Sequence, residues 1–293
     1  MSNERMVILG LACNMARLVR FLYGLGRQIT RARHVTLGLR SFFRLARDLA
    51  LSRLLPYIRF PGINHARCIR VTDGVKILYR LNRGDIQSIR EVWLDEAYRL
   101  PINVSPKIVV DLGANIGLTS LWLAKRYGCD KIIAIEPSVE NARIARQNLE
   151  RNDVCAEVID AAVGPTDGMI HFSEARDSNV GRIGFGDRKV QMLSMLSVLS
   201  RLPSPGYVDL VKMDIEGAEQ ELLTGDLSWL QKIKALIIEF HPTLVDYPGL
   251  VNRLREAGFE YIPAGSAHPD SMDFFVRRDA DDPGHIWQPP VAA

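Results

Sequence analysis

The stretch Val109-Val110-Asp111-Leu112-Gly113-Ala114-Asn115-Ile116-Gly117 constrains this chain more than any other. Lys107 to Leu112 contains a short apolar run rich in β-branched residues, the composition of a parallel strand buried on both faces. Glycines and an asparagine follow at once, and Leu118 to Tyr127 then has helical composition. Strand, tight turn and helix in that order place a ligand against backbone N–H groups at a helix N-terminus. Asp111 sits where the strand is expected to end, and Gly113 and Gly117 are expected to let the backbone approach the ligand closely. A dinucleotide fingerprint G-x-G-x-x-G would need glycine at positions 115 and 118, where the chain has Asn115 and Leu118. A turn that keeps Asp111 and lacks the second glycine suits a zwitterionic amino-acid ligand better than a pyrophosphate.

A chain of 293 residues holds one large domain, or one domain with an appendage. Its hydrophobic content of 47% and charged content of 24% are ordinary for a globular protein. The net charge of +3 is too small to imply nucleic acid, but its distribution is uneven. Residues 1–60 hold eleven arginines against only Glu4 and Asp48, so the remainder is net acidic. Cys13, Cys68, Cys129 and Cys155 are far apart and form no C-x-x-C pair, so neither a disulfide framework nor a cysteine zinc site is expected, and a cytoplasmic location follows.

Four regions are expected along the chain: a basic helical extension over 1–60, a lead-in segment over 61–105, an α/β domain over 106–278 and a loose tail over 279–293. The apolar run Val7 to Ala12 is far shorter than the roughly 20 residues that span a bilayer, and it lacks the flanks of a signal peptide. Arg17, Arg20, Arg27 and Arg31 recur at helical spacing, with Leu18, Phe21, Leu22 and Leu25 on a neighbouring face. That pattern fits a helical cap packed on a core, or a helix lying on an anionic membrane. Pro56, Pro61 and Gly62 mark a boundary. A hairpin follows over 66–71 and 75–80, and then a helix over 85–98.

From Lys107 onward strands and helices alternate, which predicts a mostly parallel seven-stranded sheet covered by helices on both faces, Rossmann-like in plan. Strands are expected to end at Glu136, Asp160, Asp214 and Glu239, and the segment 173–189, rich in Gly, Ser, Asp and Arg, reads as a mobile loop or lid. One acid after a buried strand is an ordinary helix cap. Asp111, Glu136, Asp160, Asp214 and Glu239 in succession at one sheet edge are more than capping explains, because ligands bind at that edge in open α/β sheets. Glu136, 23 residues after Gly113, is placed to accept ribose hydroxyls. Asp160 and the backbone at Ala161 are placed to bond an adenine edge. Acids near a sulfonium suit its charge, so the ligand that meets this description is S-adenosylmethionine (SAM), bound by Asp111, Gly113, Asn115, Gly117, Glu136, Asp160 and Ala161.

The chain resembles the class I SAM-dependent methyltransferases, and more narrowly the FkbM family. The residues that carry the likeness are Val110 to Gly117, Ile135-Glu136-Pro137, Asp160 to Gly164 and Glu239-Phe240-His241. Its most specific part is Lys212-Met213-Asp214-Ile215-Glu216-Gly217-Ala218-Glu219. The resemblance runs from about residue 85 to 278 and leaves residues 1–60 without a counterpart. It implies O-methylation of a hydroxyl on a sugar, glycolipid or polyketide-type acceptor. Asp214, Glu239 and His241 are the expected catalytic residues, with either His241 or Asp214 as general base or all three holding Mg²⁺. The rival readings are a non-catalytic SAM-binding scaffold and a nucleic-acid methyltransferase. The latter is disfavoured because three acids would face a polyanion. An NAD-dependent oxidoreductase fails on the glycine spacing. Saccharide or lipid-linked partners, with peripheral membrane contact through residues 1–50, complete the expectations.

Overall fold

The computed structural model describes residues 3–55, 65–102, 104–174, 181–183, 188–202, 206–263 and 272–278. The expected tail over 279–293 and the Pro56–Gly62 boundary lie outside them. The chain separates into two compact units, residues 1–90 and 91–293.

The first unit contains α1 (Asn3–Val35) and α2 (Leu39–Ser52), then the antiparallel hairpin β1 (Ala66–Arg70) and β2 (Lys76–Arg80), then α3 (Arg83–Ile89). A buried carboxylate ties helix to hairpin. Asp48 is inaccessible to solvent and accepts hydrogen bonds from Arg67 of β1 at 2.9 and 3.0 Å, from the Tyr79 hydroxyl of β2 at 2.8 Å and from Arg47 at 2.8 Å. Arg80 and Asp85 form a second buried, bidentate pair, with contacts of 3.0 and 2.8 Å. The side chain of Asn82 caps α3 by accepting from the Asp85 amide. The helix expected over 85–98 ends earlier than the periodicity predicts. The α-helical part stops at Ile89, a π-helical turn runs over Arg90–Leu94, and Glu96 then takes a positive φ of 49°. Apolar spacing by itself does not distinguish a π turn from the helix it continues.

In the second unit, the strands that form the main sheet are β3 (Ile108–Leu112), β4 (Lys131–Ile135), β5 (Ala156–Ile159), β10 (Leu210–Met213), β11 (Ala235–Ile238), β12 (Phe259–Ile262) and β13 (Asp273–Arg277). The intervening elements are α4 (Leu118–Tyr127), α5 (Val139–Glu150), α6 (Met195–Leu199), α7 (Glu219–Thr224) and α8 (Tyr247–Glu256). The strand order is β12-β13-β11-β10-β3-β4-β5, with only the β13 pairings antiparallel. Connections run outward from β3 through β4 to β5, and in the other direction from β10 to β11. Right-handed crossovers therefore put the two sets of helices on opposite faces, and the strand order reverses between β3 and β10. Val110, Leu112, Ile133, Val211, Leu236 and Ile238 form the buried centre of this sheet. This is the mostly parallel seven-stranded α/β architecture expected from the alternation.

One local expectation is corrected. After Asp160, β6 (Ala161–Val163) starts a second, four-stranded sheet in the order β6-β9-β7-β8. In that sheet β7 (Gly168–Glu174) pairs with both β8 (Gly181–Ile183) and β9 (Arg188–Leu193). The segment read as a lid over 173–189 is thus partly strand. Residues 175–180 and 184–187 of that segment lie outside the described residues. Charged and small residues disguised short strands whose pairing partners are distant in sequence.

Asp48→Ala is expected to lower folding stability by about 3 kcal/mol or more, because Arg67 and Tyr79 would lose their shared acceptor in a dry site. Urea unfolding at neutral pH measures it.

Candidate active site

The register shows why acids collect at one rim. Met213 lies opposite both Leu112 and Ile238, and Ile135 lies opposite both Leu112 and Ile159. The next residue on each strand therefore falls in one row: Glu239, Asp214, Gly113, Glu136 and Asp160. Ladder bonds continue into that row, from the Asp214 amide to the Leu112 carbonyl (3.2 Å), from the Glu239 amide to Met213 (2.9 Å) and from the Glu136 amide to Ile159 (3.1 Å). Four of the five acids singled out from sequence are neighbours on the carboxyl edge, around the switch point between β3 and β10.

Asp111 is the exception. It lies inside β3 opposite Lys212, and both side chains are almost wholly buried. The Ser120 hydroxyl donates to Oδ2 at 2.6 Å, and the Lys212 ammonium is 3.2 Å from Oδ1. That ammonium aims its protons at the Gly113 carbonyl (2.6 Å) and the Leu112 carbonyl (3.2 Å), so its tie to Asp111 is mainly Coulombic. Burial alone would strip a lysine of its proton, but Asp111, Asp214 and Glu239 outweigh it and hold the Lys212 pKa above its ordinary value. Asp111 thus shapes the glycine turn through Lys212.

The turn has a left-handed residue at every second position: Gly113 (φ 74°), Asn115 (φ 49°) and Gly117 (φ 76°). The glycines meet a constraint that sequence did not reveal. A Cβ on Gly113 would lie 1.9 Å from the Asp214 carbonyl oxygen, and one on Gly117 would lie 2.9 Å from the Ala145 Cβ of α5. Close packing of the protein on itself, as well as any ligand, requires them. The Asn115 amide donates to Glu136 Oε2 (2.8 Å) and the Ser138 amide to Oε1 (2.9 Å), so the carboxylate at the end of β4 clamps the turn from the neighbouring strand. Burial raises the Glu136 pKa to about 7 despite those bonds and the Asn141 side chain. Asp160 is bound by Arg146 of α5, which also donates to the Val158 carbonyl at 2.9 Å, and Ala161 is buried as the first residue of β6.

On the other side of the switch point, Asp214-Ile215-Glu216-Gly217 makes a tight turn with φ 56° at Glu216 and 100° at Gly217. A left-handed glutamate is a strained residue, held here because its neighbours determine the turn. Glu219, fully buried at the start of α7, accepts from the Ile215 amide (3.1 Å), and its Oε1 is 3.3 Å from His241 Nδ1. The other ring nitrogen of His241 is 3.4 Å from Glu216. With a carboxylate at each nitrogen, the imidazole is held as the cation and its pKa rises to about 9, chiefly through the Glu219 contact. Burial and then the charge of Asp214 raise Glu216 to about 7 and Glu239 to about 8. Among the described residues, Asp214, Glu216 and His241 place ligand atoms within 4.8 Å of one another. The metal set expected from sequence had Glu239 where this trio has Glu216, which the tight turn folds back toward His241.

Tyr98 was not singled out by sequence. It is buried, its ring lies 5.8 Å from the Lys212 ammonium, and its hydroxyl is 3.4 Å from Asp214 Oδ2. Burial, then Asp214 and Glu239, push its pKa well above the usual value, so it stays a hydrogen-bond donor. Only the irregular turn after Leu94 delivers it there, and no local motif announces that turn. Lys212 stood in the sequence block without a role, although a lysine inside an apolar strand was a signal of a buried partner.

A cationic adenosyl ligand fits this donor set. Glu136, Glu216 and Glu239, with pKa values pushed up by burial and, for the last two, by the charge of Asp214, form a site short of positive charge, and the glycine turn with Glu136 offers backbone and carboxylate groups beside it. The Methyltransferase FkbM domain matches residues 111–261, just over half of the chain. The chain belongs to the FkbM methyltransferase family. Methyltransferase sdnD of Sordaria araneosa is 26% identical over 243 residues, covering 69% of this chain and 93% of that protein. The 31-O-demethyl-FK506 methyltransferase FkbM of Streptomyces tacrolimicus is 24% identical over 234 residues, covering 66% and 89%. Among solved structures, the 16S rRNA N2 G1207 methyltransferase RsmC of T. thermophilus is similar with a TM-score of 0.40 at 13% identity, covering 76% of this chain and 52% of that one. As an FkbM family member the chain is a SAM-dependent methyltransferase.

Two outcomes follow for the FkbM fold and its cofactor. Lys212→Ala is expected to cost about 3–5 kcal/mol by leaving Asp111 buried without its counter-charge, whereas Lys212→Met combined with Asp111→Leu recovers most of that loss; thermal and urea unfolding separate the two. The raised pKa of Glu136 means that its protonated form is favoured in the fold up to about pH 7, and that its contribution to stability falls as pH rises through that value. A ribose hydroxyl donates best to the ionised form, so SAM affinity should rise up to about tenfold from roughly pH 6 to pH 8. Glu136→Gln should flatten that profile and weaken SAM binding about tenfold or more at the upper end, as read by calorimetry.

Proposed function

We propose that this FkbM family member O-methylates a hydroxyl of a saccharide, glycolipid or polyketide-type small molecule, with Asp214 and Glu239 taking the hydroxyl proton. The observation that carries the reading is the meeting of Asp214, Glu216, Glu239 and His241 at the ends of β10 and β11, next to the glycine turn. Bound SAM supplies a methyl group on a sulfonium, which a hydroxyl oxygen attacks in line as the carbon–sulfur bond breaks and its electron pair stays on sulfur. The residues of this chain supply position and a proton acceptor. Gly113 to Gly117 and Glu136 hold the adenosyl end, and Asp160 with the Ala161 backbone is assigned to the adenine edge. Lys212 and Tyr98 hold Asp214, both reaching its Oδ2. Glu239, raised to about 8, is close to the operating pH, where a carboxylate is most effective in proton transfer. His241, kept cationic by Glu219 and Glu216, offsets the negative charge left after the proton moves.

A metal-assisted form of the same transfer is favoured by one observation, the proximity of Asp214, Glu216 and His241. A hard ion such as Mg²⁺ would take the two carboxylates readily but would need His241 to give up the proton that two carboxylates hold on it. The proton-transfer form is preferred for that reason. The name of the Streptomyces relative supports a hydroxyl acceptor. A cytoplasmic site of action fits the free thiols of Cys68, Cys129 and Cys155.

Methyl-labelled SAM incubated with the protein and fractionated extract should yield a product labelled on oxygen; label on nitrogen or carbon, or SAM binding without transfer, defeats the proposal. Asp214→Asn and Glu239→Gln should each lower kcat by about 10²- to 10⁴-fold, measured by product formation. Exhaustive EDTA should leave kcat within about twofold, while a larger loss restored by Mg²⁺ would establish the metal form.

A further inference from the structure

In the first unit, α1 leaves an apolar face uncovered. Met15, Val19, Leu22 and Tyr23 are each more than half exposed. At about 100° of rotation per residue they fall within roughly 100° of one another, a single stripe along the helix. Ala32, on another side of the helix, is buried, as is Thr36 just beyond its end. Sequence left Leu22 on a face that suited either a core or a membrane surface, and in the structure it is exposed. Leu37, Leu39 and Phe43, at and after the α1–α2 corner, are also more than half exposed. Scattered exposed apolar residues need no account, but four at helical spacing on one element do.

The charge around this stripe is one-sided. Arg27, Arg33 and Arg40 are exposed, among the eleven arginines of residues 1–60. Only two acids stand against them, and Asp48 is buried beneath Arg67 and Tyr79. Burial of Asp48 thus removes its negative charge from this surface. No helix among the described residues is long and apolar enough to cross a membrane.

We infer that α1 lies in the plane of an anionic lipid surface, its Met15–Tyr23 stripe in the acyl boundary and its arginines at the phosphates. Each half of the pattern excludes another occupant. A second copy of this chain would cover the stripe but bring the same arginines together without acids to pair them. A nucleic acid would reward the arginines but give Met15, Val19 and Leu22 nothing. A lipid bilayer with acidic headgroups matches both. The inference uses residues of the first unit alone, so it stands or falls independently of methyl transfer.

Flotation of the full-length chain with vesicles decides it. The protein should rise with phosphatidylglycerol–phosphatidylcholine vesicles, stay behind with phosphatidylcholine alone, and be released by high salt without any mutation. Val19→Glu combined with Leu22→Glu should reduce partition about tenfold or more. Arg27→Gln and Arg40→Gln should each reduce it about fivefold. All of these variants should keep wild-type SAM affinity and circular dichroism. Recovery that is equal with neutral and anionic vesicles, or absent with both, overturns the inference. So does self-association, or retention by an oligonucleotide, that Val19→Glu with Leu22→Glu abolishes in a protein that fails to float.

Discussion

A buried lysine opposite a buried aspartate, at the point where the strand order reverses, is the interaction on which the site depends. Lys212 and Asp111 are cross-strand partners on β10 and β3, and the ammonium also takes the carbonyls of Leu112 and Gly113. Desolvating two charges costs several kcal/mol each, so such a pair contributes little net stability. Its effect is geometric. It ties the last turn of β3 to β10 and sets the Gly113 backbone against Asp214, so closely that no side chain fits at that position. It also leaves positive charge beneath a rim of acids that would otherwise repel one another further.

That rim is the second consequence. Parallel register places Glu136, Asp160, Asp214 and Glu239 in one row, and the Glu216–Gly217 turn adds a fifth carboxylate. Burial makes Glu136, Glu216 and Glu239 hold protons at higher pH than free carboxylates, and at Glu216 and Glu239 the charge of Asp214, offset only in part by Lys212 and His241, adds to it. A cation arriving at the rim relieves the repulsion and favours ionisation of the same groups. A cofactor bearing a sulfonium therefore helps to ready the carboxylates that a hydroxyl acceptor requires, by ordinary Coulombic coupling.

Much of this was legible from residue order. Periodicity gave the alternating strands and helices, because burial on both faces makes parallel strands continuously apolar. The acids at strand ends pointed to one edge, since that edge is shared by all parallel strands. The reading was less successful where partners are distant in sequence. Residues 173–189, which contribute β8 and part of β9 to the four-stranded sheet, were taken for a loop, and Tyr98 was placed at the end of a helix that in fact stops at Ile89. Asp111 was read as facing the ligand, and only the register shows Lys212 opposite it.

The sequence by itself determined the family, the class of fold and the set of residues from which the site is built, because these follow from local composition and from spacing along one chain. Tertiary structure alone decided which of those residues meet. It put Glu216 beside His241 ahead of Glu239, buried Asp48 of α2 against the hairpin and left Leu22 exposed. Each of those outcomes depends on register, on a left-handed turn or on which helix face found a partner. Such choices are made between segments far apart in the chain, and no window of sequence contains both sides of them.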